Sequence, residues 1–293
     1  MFLIAQLIGI AVISHYAPQT TKTLSDTGEE INITTHNLPY GLEPPQELTP
    51  KSNLISIVIS FFVAISLMLI LMRYKAELFL RLWFFIVVTL ALSVTLNALL
   101  SRVEFSAIIA ILIALPLSFY KVFKRNLIIH NLTELAIYPG IAAIFVPLLN
   151  IPTIVILLVL ICIYDMVAVW HIGFMQKMAK YQINKVKVFG GFFVPYMRKE
   201  DKEKLAKLKK SQLKNKKIKA NVAILGGGDI VFPIILAGVV LNSLGLFSAL
   251  IITIGATISL GILFFLAEKG KFYPAMPFIT LGCFISLIVA YLL

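Results

Sequence analysis

Charged side chains are scarce in this chain. Only 14% of its 293 residues are Asp, Glu, Lys or Arg, while 59% are hydrophobic. A water-soluble globule of that length needs more polar surface, so lipid is the solvent this composition fits. Cysteine is nearly missing: Cys162 and Cys283 both fall in apolar runs without metal-ligand spacing. That excludes a disulfide framework and predicts two small buried thiols. Histidine is sparse as well. His15, His36, His130 and His171 are scattered without ligand spacing, so neither a metal nor an organic cofactor is expected, and each should be interfacial or solvated. No internal repeat of the kind found in many transporters is visible.

Long apolar runs are what the chain has instead. A bilayer core takes about 20 apolar residues per helix, with about 17–25 tolerated. Such runs lie near 1–17, 52–72, 82–100, 105–120, 127–149, 152–171, 220–241, 244–266 and 273–292. They predict an all-α membrane protein, a polytopic bundle of nine transmembrane helices. The first run has no positive n-region, and His15 and Tyr16 rather than small residues precede Ala17. It therefore reads as a retained helix, not a cleaved signal. The expected organisation is spans 1–6 over 1–171 with an outer loop at 18–51, a basic loop at 172–219, and spans 7–9 over 220–293.

Loop charges alternate by side, with 23 Lys and Arg on one face and 3 on the other. The positive-inside rule then places the N-terminus and loop 172–219 in the cytoplasm and the C-terminus outside. That loop carries 15 basic residues and three acids, the main source of the net charge of +12. Attraction to anionic lipid headgroups is expected of it rather than nucleic-acid binding. Its lysine-rich second half, 198–219, predicts a solvated helix or a disordered segment. Its apolar first half, Val186 to Tyr196, with Gly190, Gly191 and Pro195, predicts an interfacial stretch or a short strand over a site. Asn32-Ile33-Thr34 on the outer loop fits a glycosylation sequon, a weak signal alone.

Of 14 acidic residues, only Glu134, Asp165 and Asp229 fall inside spans. A carboxylate at mid-span costs about 2.5–3.5 kcal/mol on insertion scales, so each needs a reason. Glu134 lies about two turns into the fifth span, four residues after His130 on the same face. Water or a neighbour at the membrane edge can satisfy it, which makes it structural. Asp165 and Asp229 sit on consecutive antiparallel spans joined by the basic loop. At 1.5 Å per residue, Asp165 is roughly 10 Å from that edge and Asp229 roughly 14 Å, if both helices are regular. The two carboxylates thus come to similar depth. Sharing a site, they would share one proton, an arrangement suited to peptide hydrolysis: one takes a proton from water while the other polarises the scissile carbonyl. A proton- or cation-relay pair in a transporter fits the same placement.

Two neighbouring segments bear on that choice. Gly226-Gly227-Gly228 precede Asp229, and glycine inside a helix costs about 1 kcal/mol per residue relative to alanine. Such a run suits backbone that unwinds or closely approaches another chain, and a bare glycine edge can pair with an extended substrate; close helix packing through small residues is the ordinary explanation. Pro274-Ala275-Met276-Pro277 opens the last span, where two prolines remove donors and favour a rigid extended or turn segment.

Taken together, these elements resemble the presenilin and signal peptide peptidase family of GxGD intramembrane aspartyl proteases. Tyr164-Asp165 matches the family's YD motif on its sixth span, Gly226-Gly227-Gly228-Asp229 matches GxGD on the seventh, and Pro274-Ala275-Met276 matches PAL at the ninth. The resemblance implies catalytic Asp165 and Asp229, a PAL segment that shapes the site, and substrates that are transmembrane helices unwound for cleavage. Tyr164, Gly226, Gly227, Gly228, Pro274, Ala275, Met276 and Pro277 become the expected substrate-binding set. Met276 departs from the family's leucine but keeps an apolar side chain unbranched at Cβ. The orientation from loop charges is similar to that of presenilin rather than signal peptide peptidase, and the small size resembles microbial homologues. Eukaryotic presenilins act with partner subunits; these residues leave that requirement open for this chain. The competing readings are a prepilin-peptidase-like GxGD protease, which resembles shorter chains with fewer spans, and an ion-coupled transporter or channel using the same aspartates.

Overall fold

The structure is a computed structural model that describes residues 1–24, 30–35, 38–42, 50–74, 76–124, 126–169, 190–196, 221–266 and 273–293. Among these residues there are nine α-helices: α1 Phe2–His15, α2 Pro50–Arg73, α3 Glu77–Leu99, α4 Ser106–Phe123, α5 Leu127–Phe145, α6 Ile151–Val167, α7 Gly227–Leu244, α8 Leu246–Leu266 and α9 Met276–Leu292. Helices α3, α4, α5, α7 and α8 are long and apolar enough to cross a membrane; α1, a stretch of α2, α6 and α9 are shorter apolar helices. Large apolar side chains such as Phe62, Trp83, Leu112, Ile128 and Phe265 are exposed on the outer surface, as a lipid solvent requires. The all-α, nine-helix expectation holds.

Two antiparallel hairpins depart from a purely helical reading. Strands β1 Gln19–Leu24 and β2 Glu30–Thr35 pair in the expected outer loop, and β2 contains Asn32-Ile33-Thr34. Strands β3 Gly191–Tyr196 and β4 Asn221–Gly226 pair with Gly191 opposite Gly226 and Tyr196 opposite Asn221. β3 realises the short strand expected of 186–196. Residues 172–189 and 197–219 of the basic loop lie outside the described residues, as do His36 and His171.

Local sequence explains where helices begin. Asn126 caps α5 by accepting from the Ile128 and Ile129 amides. Asn150 and Thr153 form a reciprocal capping box at α6, ahead of a proline in the first turn, where its missing N–H costs nothing. Helix α7 is the centre of the bundle, packed by α1, α5, α6, α8 and α9. Ile230, Ile234, Leu236, Ala237 and Val240 on it are fully buried. Close approach relies on small residues: Gly140 of α5 sits against the Ala91 carbonyl of α3, and Gly255 and Gly282 meet Ser286 and Ser259 reciprocally between α8 and α9. None of the three has room for a Cβ. Packing of this kind substitutes for hydrophobic driving force in lipid. Cys162 and Cys283 are free thiols, Cys283 buried and Cys162 half-buried.

Candidate active site

Asp165 lies in the last turn of α6 and is 5% exposed. Its Oδ2 accepts a hydrogen bond from the Met276 amide at 3.1 Å. Met276 is the first residue of α9, and the first amides of a helix have no intrahelical acceptor. The Asp165 carboxylate therefore caps a helix other than its own. Pro274, Ala275 and Met276 are buried and Pro277 half-buried. Pro277 stands in the first turn of α9, where proline is tolerated. The expected rigid turn is a bend that delivers one free amide to Asp165.

Asp229 is held differently. The sequence reading starts the seventh span at 220 and places Asp229 nine residues into a regular helix. Instead, 221–226 form β4, and Gly226 ends the strand with extended φ −64°, ψ 146° before α7 starts at Gly227. Asp229 stands in the first turn of α7, half-buried, and its carboxylate bonds back to the Gly226 amide. The physical reason is pairing: β4 satisfies its backbone against β3, so the helix begins only after the strand has ended at Gly226. On the other side of the site α6 ends at Val167 and a π turn follows through residue 169, so Asp165 also stands near the end of its α-helix.

Helices α6, α7 and α9 pack against one another, and the two carboxylates lie within electrostatic reach. Gly227 is pressed between neighbours: a Cβ there would stand 3.0 Å from Tyr138 Cε1 and 3.4 Å from the Gly190 carbonyl. A Cβ on Gly226 would stand 3.0 Å from Asp229 Oδ2, whereas one on Gly228 would meet only Phe232, at 3.6 Å. Tyr164 is half-buried and lines an apolar cavity of about 890 Å³ between α2, α5, α6 and α7, together with Val231 and Phe232 beside Asp229.

The family described as signal-peptide peptidase, presenilin aspartyl protease matches residues 35–293. The chain belongs to this family. It is an aspartic endopeptidase of the membrane, a multi-pass integral protein whose family works on transmembrane substrates. Among solved structures it is similar to a presenilin family intramembrane aspartate protease in two crystal forms. In space group C222 the TM-score is 0.58 at 16% identity, covering 99% of this chain and 93% of that one. In space group P2 the TM-score is 0.60 at 16% identity, with 100% and 95% covered. At such identity the likeness speaks for the fold. No curated protein matches the chain.

Several residues near the family's motifs escape sequence reading. Lys121, assigned to a cytoplasmic loop, is buried in α4 and paired with Glu134, so its charge answers the acid rather than marking a membrane face. His130, expected to be interfacial or solvated, has a side chain only 13% exposed and bonds through Nε2 to the Gly191 carbonyl at 2.8 Å. Asn131 is buried on the same helix. Gln6 of α1 is fully buried and donates to the Ile230 carbonyl at 3.1 Å, one residue past Asp229. A lone amide in an apolar first span was the available signal.

Proposed function

We propose that Asp165 and Asp229 form a dyad that uses water to hydrolyse peptide bonds within transmembrane segments. The supporting observation is that two carboxylates on adjoining helices each end on a backbone amide and lie within electrostatic reach of each other. Close carboxyls share a proton. The ionised member takes a proton from water as the oxygen attacks the scissile carbonyl carbon, and the protonated member hydrogen-bonds and then protonates the carbonyl oxygen. Collapse of the tetrahedral diol returns one hydroxyl proton to a carboxylate, protonates the departing nitrogen, breaks the C–N bond and releases an acid and an amine.

The β3–β4 hairpin supports an extended substrate beside Gly226 to Gly228. Backbone groups of Gly191 and Phe193 point toward α5. By alternation, the backbone groups of Phe192 and Val194 face β4, and those of Val222, Ile224 and Gly226 line the opposite edge of β4. Asp229 bonds at the end of that edge. A substrate added there as a strand would be led toward the carboxylate, with Tyr164 and the segment Pro274–Pro277 flanking it and the apolar cavity receiving its side chains. We assign the N-terminus and loop 172–219 to the cytoplasm, with substrates drawn from the surrounding bilayer and no nucleic-acid partner.

The test is cleavage of a transmembrane substrate in liposomes. Asp165→Asn and Asp229→Asn are each expected to reduce turnover by at least about 10³-fold; cleavage persisting in either single variant overturns the dyad. Activity of the native chain should fall on both the acid and the alkaline side between about pH 5 and 9, because one proton must be present and one absent.

A further inference from the structure

The side chains of α5 do the work of a missing third strand. An antiparallel sheet of two strands leaves one row of amides and carbonyls on each outer edge, and in lipid such groups need partners. On the outer edge of β3 those partners come from one helix face. The Gly191 carbonyl meets His130 Nε2 at 2.8 Å, and the Gly191 amide donates to Glu134 Oε1 at 3.4 Å. The Phe193 amide donates to Asn131 Oδ1 at 3.0 Å, and Asn131 Nδ2 donates to the Phe193 carbonyl at 2.8 Å. Asn131 thus reproduces both bonds of a strand partner. The next outward position on β3 is Pro195, which has no amide to satisfy. Lys121 of α4 fixes the carboxylate of Glu134 from behind, and the His130 and Phe193 rings lie 4.8 Å apart over the joint.

We infer that Asn131, oriented with His130 and Glu134 on α5, is a positioning residue that sets the register of β3 and β4 and through them the place of Asp229; the inference rests on the dyad reading. The connection is continuous. β3 is bonded to α5, β4 is paired to β3, the Gly227 amide donates to the Gly190 carbonyl at 3.2 Å, and Asp229 follows two residues later. A side chain that fixes one strand edge fixes register, because a slip of one residue would turn Phe192, 1% exposed against Tyr138, out of the core. It also closes the β3 edge to substrate, leaving β4 as the edge that accepts one.

Two variants test this in the full chain reconstituted with a transmembrane substrate. Asn131→Asp keeps the shape and the acceptor for the Phe193 amide but sets an oxygen against the Phe193 carbonyl; Asn131→Leu removes both bonds. Both are expected to lower kcat by about tenfold to a hundredfold with KM within about twofold, as small misplacement of reacting groups does. Mass spectrometry of the products should show cleavage spread over neighbouring bonds. Amide exchange should rise over 191–196 and 221–226 with α7 beyond Phe232 unchanged, and Asn131→Gln, which keeps donor and acceptor, should recover part of kcat. Native kcat, an unchanged cleavage position or unchanged exchange at 191–196 in Asn131→Asp overturns the inference while leaving the dyad intact. A native chain without cleavage, or active aspartate variants, overturns both.

Discussion

Three carboxylates enter the apolar part of this protein, and they are satisfied in two ways. Glu134 on α5 has a cation: Lys121 of α4 is buried with it, each side chain 1% exposed. Among the described residues no basic side chain pairs with Asp165 or Asp229. Each takes a backbone amide at the start of a helix, Asp165 from Met276 of α9 and Asp229 from Gly226 ahead of its own α7, whereas Glu134 has the cation in addition to the Gly191 amide. A cation neutralises an acid and fixes it. A single amide orients a carboxylate while leaving lone pairs free for water and a proton. The contrast supports the proposed division between an acid that holds the bundle together and a dyad that reacts.

The comparison can be broken from the structural side first. Glu134→Gln strips Lys121 of its counter-charge in a buried site, and removing one partner of a buried pair costs about 3 kcal/mol or more. Thermal unfolding of the purified chain should show this as the largest stability loss among these changes, and an unchanged melting temperature would remove the structural role. Next come the glycines that bring Asp229 to the strand end. Gly226→Ala and Gly227→Ala each place a Cβ 3.0 Å from a neighbour, so about a tenfold loss of turnover is expected. Gly228→Ala, at 3.6 Å from Phe232, should stay within about twofold; equal losses at all three would point to helix propensity instead. Smallest is Met276→Leu. It keeps the amide that meets Asp165, and a volume-conserving swap in a core is well tolerated, so turnover within about twofold is expected in the same cleavage assay.

Much of the fold was legible because lipid makes a simple demand. Every span must be apolar and about 20 residues long, and runs such as 244–266 and 273–292 announce themselves. The cost of acids in that setting isolates Glu134, Asp165 and Asp229 from the other eleven. Hydropathy fails where an apolar run is not a helix. Asn221 to Gly226 continues the apolar run of the span, but it pairs with β3, 25 residues back where Asn221 meets Tyr196 and 35 back where Gly226 meets Gly191. Likewise Lys121 beside Lys124 and Arg125 looks like loop charge, and only the packing of α4 on α5 turns it inward.

By itself the sequence determined a nine-helix membrane protein with two aspartates on consecutive spans, followed by a proline-bounded segment. Those features depend on composition and spacing, which are local. Tertiary structure decided that Asp165 would cap α9, that Asp229 would stand at a strand-to-helix junction, and that His130, Asn131 and Glu134 would complete the edge of β3. Each of these rests on hydrogen bonds between groups far apart along the chain, Asp229's place among them through the pairing of β4 with β3, and a backbone group carries no mark in the sequence of the partner it will meet.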